Sequence, residues 1–333
     1  MPTISVHNLN KTYRSPLRSP GIKATLRHLV APRYRTVHAL KNVSFTLQAG
    51  EAVGYLGPNG AGKTTTLKIL AGVLFPDSGE VKVLGFTPWE GRAQFKKRIA
   101  LVMGRKGQLW WDLPAMDLFH LLQEMYEIPQ SDFQKRVNEL AERFRVGNLL
   151  TTPIRNLSLG ERMKMELIAA FLHRPQVVFL DEPTLGLDVM AQHEIRSLLR
   201  AYTKEEGITL LMASHYMRDV EEICDRVILL DEGQIKYDGS LSELKKRYSP
   251  MREITATLKG HSPTRCDLPG QNWLVGADGL RRRWQVPRAE VPRLLQALTA
   301  QCEIEDLTVR EPALEDIMRR FFEKQAGGEN ALA

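Results

Sequence analysis

Short apolar runs alternate with amphipathic stretches along the first 240 residues of the chain. Nearly every position is apolar in Ala52–Leu56, Val177–Leu180 and Thr209–Ala213, which is typical of strands buried on both faces of a sheet. Between the first two runs, apolar residues recur at helical spacing in Met116–Glu127 and Ser131–Arg145. The pattern therefore predicts buried strands with a helical subdomain inserted between them.

A second, smaller unit is predicted after the charged stretch Glu243–Arg247, which marks a domain boundary. Its strands and helices alternate, and we place them at Ile254–Leu258, Arg283–Val286, Ala289–Ala300, Ile304–Val309 and Leu314–Phe322. We expect an α+β accessory domain over residues 243–325 and a disordered, glycine-containing tail over residues 326–333. No catalytic constellation is recognisable in this unit, so we expect it to regulate the protein or stabilise a dimer.

Length and composition fit two ordinary domains, since the chain has 333 residues and is 43% hydrophobic. Cys224, Cys266 and Cys302 form no close pair, which indicates neither disulfides nor a zinc site and favours a reducing compartment. No apolar leader follows Met1, and no apolar stretch approaches the roughly 18 residues of a membrane span, so we expect a protein that is neither secreted nor membrane-spanning. The net charge of +7 indicates an anionic neighbour, either nucleic acid or the inner face of a membrane.

A phosphate-binding loop follows the first buried strand. Residues Gly57–Thr64 read Gly-Pro-Asn-Gly-Ala-Gly-Lys-Thr, with the glycines, lysine and hydroxyl at the spacing of a P-loop. The glycines let backbone N–H groups converge on an anion, Lys63 supplies a charge for the β- and γ-phosphates, and Thr64 offers a hydroxyl to Mg²⁺. A helix predicted over Thr65–Leu74 directs its positive dipole end at the phosphates. The loop indicates a site for ATP or GTP.

Two carboxylates end the second buried strand. Asp181 is a candidate to hold Mg²⁺ through water, and Glu182 is a candidate to orient or polarise the attacking water. Paired acids after a strand are also common as a solvated strand end. Together with the phosphate loop, they indicate a nucleoside triphosphatase.

Four further motifs resemble those of ABC-type ATPases and occur in the same order. Residues Leu157–Glu161 read Leu-Ser-Leu-Gly-Glu and are similar to the family's signature sequence, whose commonest form has glycine and glutamine at the third and fifth positions. Leu185–Asp188 resembles the loop after the catalytic acid, and His215 resembles the switch histidine. Tyr13 stands where the family places an aromatic ring that stacks on adenine. The resemblance covers roughly residues 3–240.

This resemblance implies an α/β fold, the ABC cassette of the P-loop NTPases, over residues 1–242, with its helical subdomain at about residues 95–173. It implies an ATPase that uses ATP and Mg²⁺, with Glu182, His215 and Lys63 as the catalytic residues. The implied nucleotide-binding residues are Tyr13, Gly57, Pro58, Asn59, Gly60, Ala61, Gly62, Lys63, Thr64, Thr65, Ser158, Gly160 and Asp188. The implied metal-contacting residues are Thr64, Asp181 and Gln108.

The resemblance also implies partners. In the family, Ser158 and Gly160 face the nucleotide of a second subunit, so a homodimer is expected to close head to tail on ATP and to open after hydrolysis. The opening and closing of the dimer is expected to drive an integral-membrane permease on a separate chain. We accordingly expect a cytoplasmic protein, peripheral on the inner face of the cell membrane and in contact with the membrane surface, that binds no nucleic acid.

Two function classes are compatible with the motifs: a transporter subunit, or a soluble ABC ATPase that acts on ribosomes or nucleic acid. The chain has one phosphate loop and only about 90 residues between that loop and the signature. These features favour the transporter subunit, because the soluble classes carry two cassettes or long coiled coils. The similarity of Leu157–Arg162 and of the loop with two tryptophans to drug and polysaccharide exporters favours export, with import as the alternative.

Three features leave alternatives open. The family's Mg²⁺-contacting glutamine aligns with Arg105, so either Gln108 takes its place or an arginine occupies that site. The adjacent Trp110 and Trp111 favour a surface groove, with packing inside the subdomain as the alternative. The resemblance implies that a coupling helix of the permease docks in this region. The basic segment Arg14–Arg35 is either a solvated insertion or a contact with lipid headgroups.

Overall fold

The structure, a computed structural model, describes residues 2–16, 34–104, 107–248, 251–259, 273–278, 280–311, 314–319 and 321. The chain divides into two compact units between Gly239 and Ser240. Most of the basic segment, Arg105 and the tail lie outside the described residues, so the interpretations that rest on them stay predictions. Among the described residues, no helix is both long enough and apolar enough to cross a bilayer.

The strands of the first unit are β1 (Ile4–Pro16), β2 (Tyr34–Leu47), β3 (Ala52–Leu56), β4 (Ser78–Val83), β5 (Ile99–Met103), β6 (Val177–Asp181), β7 (Thr209–Ala213), β8 (Arg226–Asp231) and β9 (Gln234–Ser240). Its helices are α1 (Lys63–Leu70), α2 (Ala93–Lys96), α3 (Ala115–Tyr126), α4 (Gln130–Arg143), α5 (Leu159–Phe171), α6 (Val189–Glu206) and α7 (Met217–Ile223). The second unit comprises α8 (Leu241–Tyr248), β10 (Met251–Leu258), β11 (Leu274–Asp278), β12 (Arg281–Pro287), α9 (Val291–Gln301), β13 (Ile304–Arg310) and helical residues at 314–319.

The central sheet of the first unit has the strand order β5-β6-β7-β3-β8-β9, and the strands from β5 to β8 pair in parallel. Strand β7 is buried at every position, and β3 and β6 are buried at all positions but one. This burial confirms the three strands predicted from the apolar runs. The carboxyl ends of parallel strands meet at one edge of the sheet. The residues that follow β3, β6 and β7 are therefore brought together there.

A second, antiparallel sheet has the order β2-β1-β4 and shares one apolar core with the central sheet. Its long strands β1 and β2 pair along their whole length, with Tyr13 opposite Val37. The apolar residues of the sequence predict a strand only over the last part of β2, at Val43–Leu47. The first five residues of β2 are all exposed, so they show no alternation of apolar and polar positions that would mark a strand.

The helices α3 and α4 confirm the amphipathic stretches to within two residues. The helix expected over Thr65–Leu74 begins two residues earlier and ends at Leu70. Its early end is explained by Gly72, whose φ of 73° lies in the left-handed region. A Cβ at Gly72 would also lie 2.4 Å from the carbonyl oxygen of Pro88, so the chain turns at a position that only glycine fits.

The second unit contains one antiparallel sheet in the order β11-β12-β10-β13. Alternate residues of β10 and β12, among them Ile254 and Trp284, form a core with Leu294 and Leu298 of α9. The elements predicted at these positions are confirmed. Strand β11 was not predicted, because its residues, Leu-Val-Gly-Ala-Asp, do not alternate between apolar and polar, although their burial in the sheet does alternate.

Candidate functional site

The loop Gly57–Gly62 leaves the carboxyl end of β3 and leads directly into α1. Gly60 and Gly62 adopt φ values of 86° and 108°, which side chains rarely tolerate. A Cβ at Gly57 would lie 2.1 Å from the carbonyl oxygen of Leu230, and one at Gly62 would lie 2.4 Å from that of Ala39. The loop is therefore shaped by glycines, both through backbone conformation and through close packing of the surrounding chain.

The side chain of Lys63 folds back into this loop. It is only 6% exposed, and its Nζ donates to the carbonyl oxygens of Gly57 at 2.7 Å and Pro58 at 3.1 Å. The residue also lines the cavity beside the loop. A cation at the wall of a cavity is suited to pair with phosphate oxygens.

Thr64 and Asp181 meet across the cavity floor, where the Thr64 hydroxyl donates to Asp181 Oδ2 at 2.8 Å. The other carboxylate oxygen, Oδ1, is buried and has no hydrogen-bond partner in the described structure. Burial raises the pKa of Asp181, although the bond from Thr64 acts in the opposite direction. Mg²⁺ is coordinated, directly or through its bound water, by oxygen atoms such as this unpaired carboxylate oxygen and the neighbouring hydroxyl. These residues therefore fit the metal that the motifs imply.

Glu182 and His215 form a close pair at the ends of β6 and β7. Glu182 is 7% exposed, and its Oε2 lies 2.5 Å from His215 Nδ1. The backbone of Glu182 is tied to β7, because its N–H donates to the Ala213 carbonyl at 2.7 Å. Its φ of 56° is unusual for a residue with a side chain. The contact lets the imidazole hold the carboxylate in one position, from which the acid can orient a water, as hydrolysis requires.

Gly104 packs against this acid from the end of β5. Its N–H donates to the Asp181 carbonyl at 2.8 Å. A Cβ at Gly104 would lie 2.0 Å from the carbonyl oxygen of Glu182. The end of the neighbouring strand thus approaches the backbone of Glu182 at a distance that excludes any side chain.

An open cavity of about 600 Å³ extends from the phosphate loop and Glu182 to the ring of Tyr13. The Tyr13 hydroxyl lies 3.4 Å from Thr65 Oγ1, and its side chain is 40% exposed. Sequence reasoning missed several lining residues, namely Val37, Ala39, Lys68 and Met103. They reach the cavity through the register of β1 and β2, through the last turn of α1 and through the end of β5, none of which a local motif reveals.

Ser158, Gly160 and Asp188 do not line the cavity of Lys63. Ser158 caps α5, since its hydroxyl accepts from Glu161 N at 3.3 Å and donates to Glu161 Oε2 at 2.8 Å. The backbone N–H of Ser158 donates to the same carboxylate at 2.8 Å and lowers the pKa of Glu161. Asp188 caps α6 through Ala191 N at 2.9 Å. These residues thus mark helix N-termini that are separate from the phosphate loop.

Gln108 is not brought to Thr64 and Asp181. Its side-chain amide donates to the Leu101 carbonyl at 2.6 Å, and its backbone N–H donates to Glu166 Oε1 at 2.7 Å. It lines a different cavity, of about 500 Å³, between β5 and the helices α3 and α5. The expected metal contact of Gln108 is therefore not supported by the structure. The residue is drawn away because the buried Glu166 carboxylate anchors its backbone.

Comparison with known proteins identifies the chain's relatives. The family profile described as ABC transporter matches residues 40–185. The ABC transporter ATP-binding protein NatA of Bacillus subtilis is 33% identical over 210 residues, which cover 63% of this chain and 85% of NatA. The daunorubicin resistance ATP-binding protein DrrA3 of Streptomyces coeruleorubidus is 30% identical over 297 residues, covering 86% of this chain and 91% of DrrA3.

A solved structure of an ATP-binding subunit of an ABC transporter aligns with a TM-score of 0.61 and 25% identity, covering 74% of this chain and 93% of that one. The fold class inferred from the motifs is thereby confirmed. None of these findings supports the alternative of a soluble ABC ATPase that acts on ribosomes or nucleic acid. The chain belongs to the ABC transporter family, in which it is an ATP-binding subunit that hydrolyses ATP.

Proposed function

We propose that this chain is the ATP-hydrolysing subunit of a membrane exporter and that it works as a homodimer on the inner face of the membrane. The observation that carries the proposal is the separation of its anion-binding groups. Lys63, Gly60 and Gly62 line one cavity, whereas the capped helix N-terminus at Ser158 lies outside it. A second copy placed head to tail would bring that terminus to the nucleotide and complete the site.

Within one site, Lys63 and the backbone of the loop Gly57–Gly62 are proposed to hold the phosphates, and the exposed Tyr13 ring is proposed to stack on adenine. Thr64 and Asp181 would hold Mg²⁺, which neutralises phosphate charge when bound. Glu182 would orient the attacking water, and His215 would keep that carboxylate in place. Loss of the phosphate charge after hydrolysis would weaken the contact with the second copy and open the dimer.

Pairing two differently inactivated variants tests whether each nucleotide site is shared between the two chains of the dimer. Mixed dimers of Ser158→Arg and Lys63→Ala chains should hydrolyse ATP, because one composite site keeps both Lys63 and Ser158. Mixed dimers of wild type with a chain that carries both substitutions should be inactive, since each composite site lacks one group. The measurement is ATPase activity of mixed dimers isolated through two different affinity tags. The reverse order of activities would show that each chain carries a self-contained site.

The loop with Trp110 and Trp111 is proposed to receive the permease. Both side chains are more than half exposed, at 54% and 56%. The loop is nevertheless held firmly by the signature helix α5: Arg162 lies 4.9 Å from the Trp111 ring centre, and Glu166 accepts two backbone hydrogen bonds from residues 108 and 109. Two exposed aromatic rings on a fixed loop are typical of a protein contact site. Motion of α5 would thus be transmitted to the permease.

Replacing Trp110 and Trp111 by alanine should uncouple the subunit from its permease. We expect basal ATPase activity within about twofold of wild type and at least a tenfold weaker association with the membrane protein that co-purifies with wild type, since hot-spot aromatic residues carry most of a contact's energy. Val309→Ala, another exposed apolar residue, is the matched control and should bind as wild type does. Unchanged co-purification of the double variant would place the permease contact elsewhere.

Export of a drug-like compound is the transport direction and substrate class that we propose. The similarity to a daunorubicin resistance protein over 86% of this chain supports it. The specific substrate would be selected by the permease.

A further inference from the structure

Asp219, on α7, is fully buried. None of the roles proposed above involves its carboxylate. It accepts three hydrogen bonds from side chains. Thr184 Oγ1 donates to its Oδ2 at 2.5 Å, Ser214 Oγ donates to the same oxygen at 3.0 Å, and Arg196 Nη1 donates to Oδ1 at 3.2 Å. Burying a carboxylate costs desolvation free energy, even when several donors contact it. Stability alone does not require such a group, because apolar packing often stabilises a fold equally well.

The two hydroxyls belong to the two loops that carry the hydrolytic pair. Thr184 lies two residues after Glu182, and Ser214 immediately precedes His215. Both hydroxyl-bearing residues are fully buried. Ser214 Oγ also accepts from Tyr216 N at 3.0 Å, so this one hydroxyl bridges the chain on either side of His215. A single oxygen of Asp219 thus fixes the loop after β6 and the loop after β7 relative to each other.

The carboxylate is itself fixed by α6. Arg196 is 3% exposed and pairs with Asp219 on one side, while its Nε lies 3.0 Å from Glu222 on the other. The helix α6 begins at the cap residue Asp188, at the end of the same loop that contains Thr184. Asp219 is therefore held in one orientation, and its position depends on the course of that loop.

We propose that Asp219 is a positioning residue for ATP hydrolysis, which keeps Glu182 and His215 in contact by holding Thr184 and Ser214 at one carboxylate oxygen. The inference rests on the proposed roles of Glu182 and His215. Asp219 does not line the nucleotide cavity, so its loss should change turnover and leave ATP binding nearly intact.

The experiment compares Asp219→Asn, Ser214→Ala and Thr184→Val with the control Glu222→Gln, which alters the other partner of Arg196 and leaves all three contacts of Asp219. We expect kcat to fall about tenfold or more in Asp219→Asn and several-fold in each hydroxyl variant, with KM and the calorimetric ATP affinity within about twofold of wild type. Glu222→Gln should retain the wild-type kcat. The hydroxyl variants keep the carboxylate and so test the idea even if Asp219→Asn folds poorly.

A double-mutant cycle with His215→Ala separates positioning from general damage. If Asp219 acts through the hydrolytic pair, Asp219→Asn should slow the His215→Ala enzyme by less than about twofold, because the contact it maintains is already gone. Multiplying effects, or a loss of ATP affinity equal to the loss of kcat, would overturn the inference. Wild-type turnover in His215→Ala and Glu182→Gln themselves would instead overturn the proposed function.

Discussion

Glu182→Gln should lower ATP turnover by at least about 100-fold, the usual contribution of a positioned base or water-orienting carboxylate. The amide has the same shape as the carboxylate but lacks its charge, and Glu182 is buried in contact with His215. ATP affinity should persist, because the phosphate loop and Tyr13 are untouched. With hydrolysis blocked, the ATP-bound dimer should accumulate.

Two measurements check this result: steady-state ATP hydrolysis, and size-exclusion chromatography with and without Mg-ATP. Glu142→Gln, an exposed glutamate on α4, is the charge-matched control and should hydrolyse ATP at the wild-type rate. A Glu182→Gln protein that remains monomeric with Mg-ATP and turns over near the wild-type rate would refute both the acid's role and the closed dimer.

Lys63→Ala should weaken ATP binding by at least about 100-fold, or about 2.8 kcal/mol. The substitution removes the buried ammonium at the cavity wall and also leaves the carbonyl oxygens of Gly57 and Pro58 without that donor. Both losses act on the same loop. Charge-assisted hydrogen bonds to phosphate are among the strongest contacts that a side chain makes, so their loss should weaken ATP binding strongly.

Isothermal calorimetry with ATP is the direct test of Lys63→Ala. Lys135→Ala removes the same charge from an exposed position on α4 and should bind ATP as wild type does. Wild-type affinity in Lys63→Ala would contradict the assignment of the cavity to the triphosphate.

The central sheet could be predicted because β3, β6 and β7 are buried on both faces and leave uninterrupted apolar runs. The chemistry at their ends was also accessible, since Gly57–Thr64 and the pair Asp181 and Glu182 are contiguous in sequence. What sequence could not provide is the register between distant segments. The opposition of Tyr13 and Val37 across β1 and β2 depends on strand pairing that exposed residues do not encode.

The buried contacts of polar residues also could not be predicted from the sequence. Asp219 lies among charged residues on a short helix and is indistinguishable in sequence from a solvated acid, yet it is fully buried. Gln108 was expected to replace the family's Mg²⁺-contacting glutamine, which aligns with Arg105, and the buried Glu166 holds its backbone at another cavity. In both cases the deciding contact comes from a residue that is distant in sequence, Thr184 for the first and Glu166 for the second.

The close approach of Gly104 to Glu182 restricts which residues can occupy position 104. Alanine, the smallest possible side chain, would already place its methyl group 2.0 Å from the acid's carbonyl oxygen, so β5 and β6 could not keep their spacing. Gly147 in the helical subdomain has no atom within 4 Å of its virtual methyl group and should accept many residues. Nothing in the sequence distinguishes these two glycines, yet Gly104 should tolerate no substitution and Gly147 should tolerate many. A residue without a functional group can thus be as restricted as one that takes part in hydrolysis.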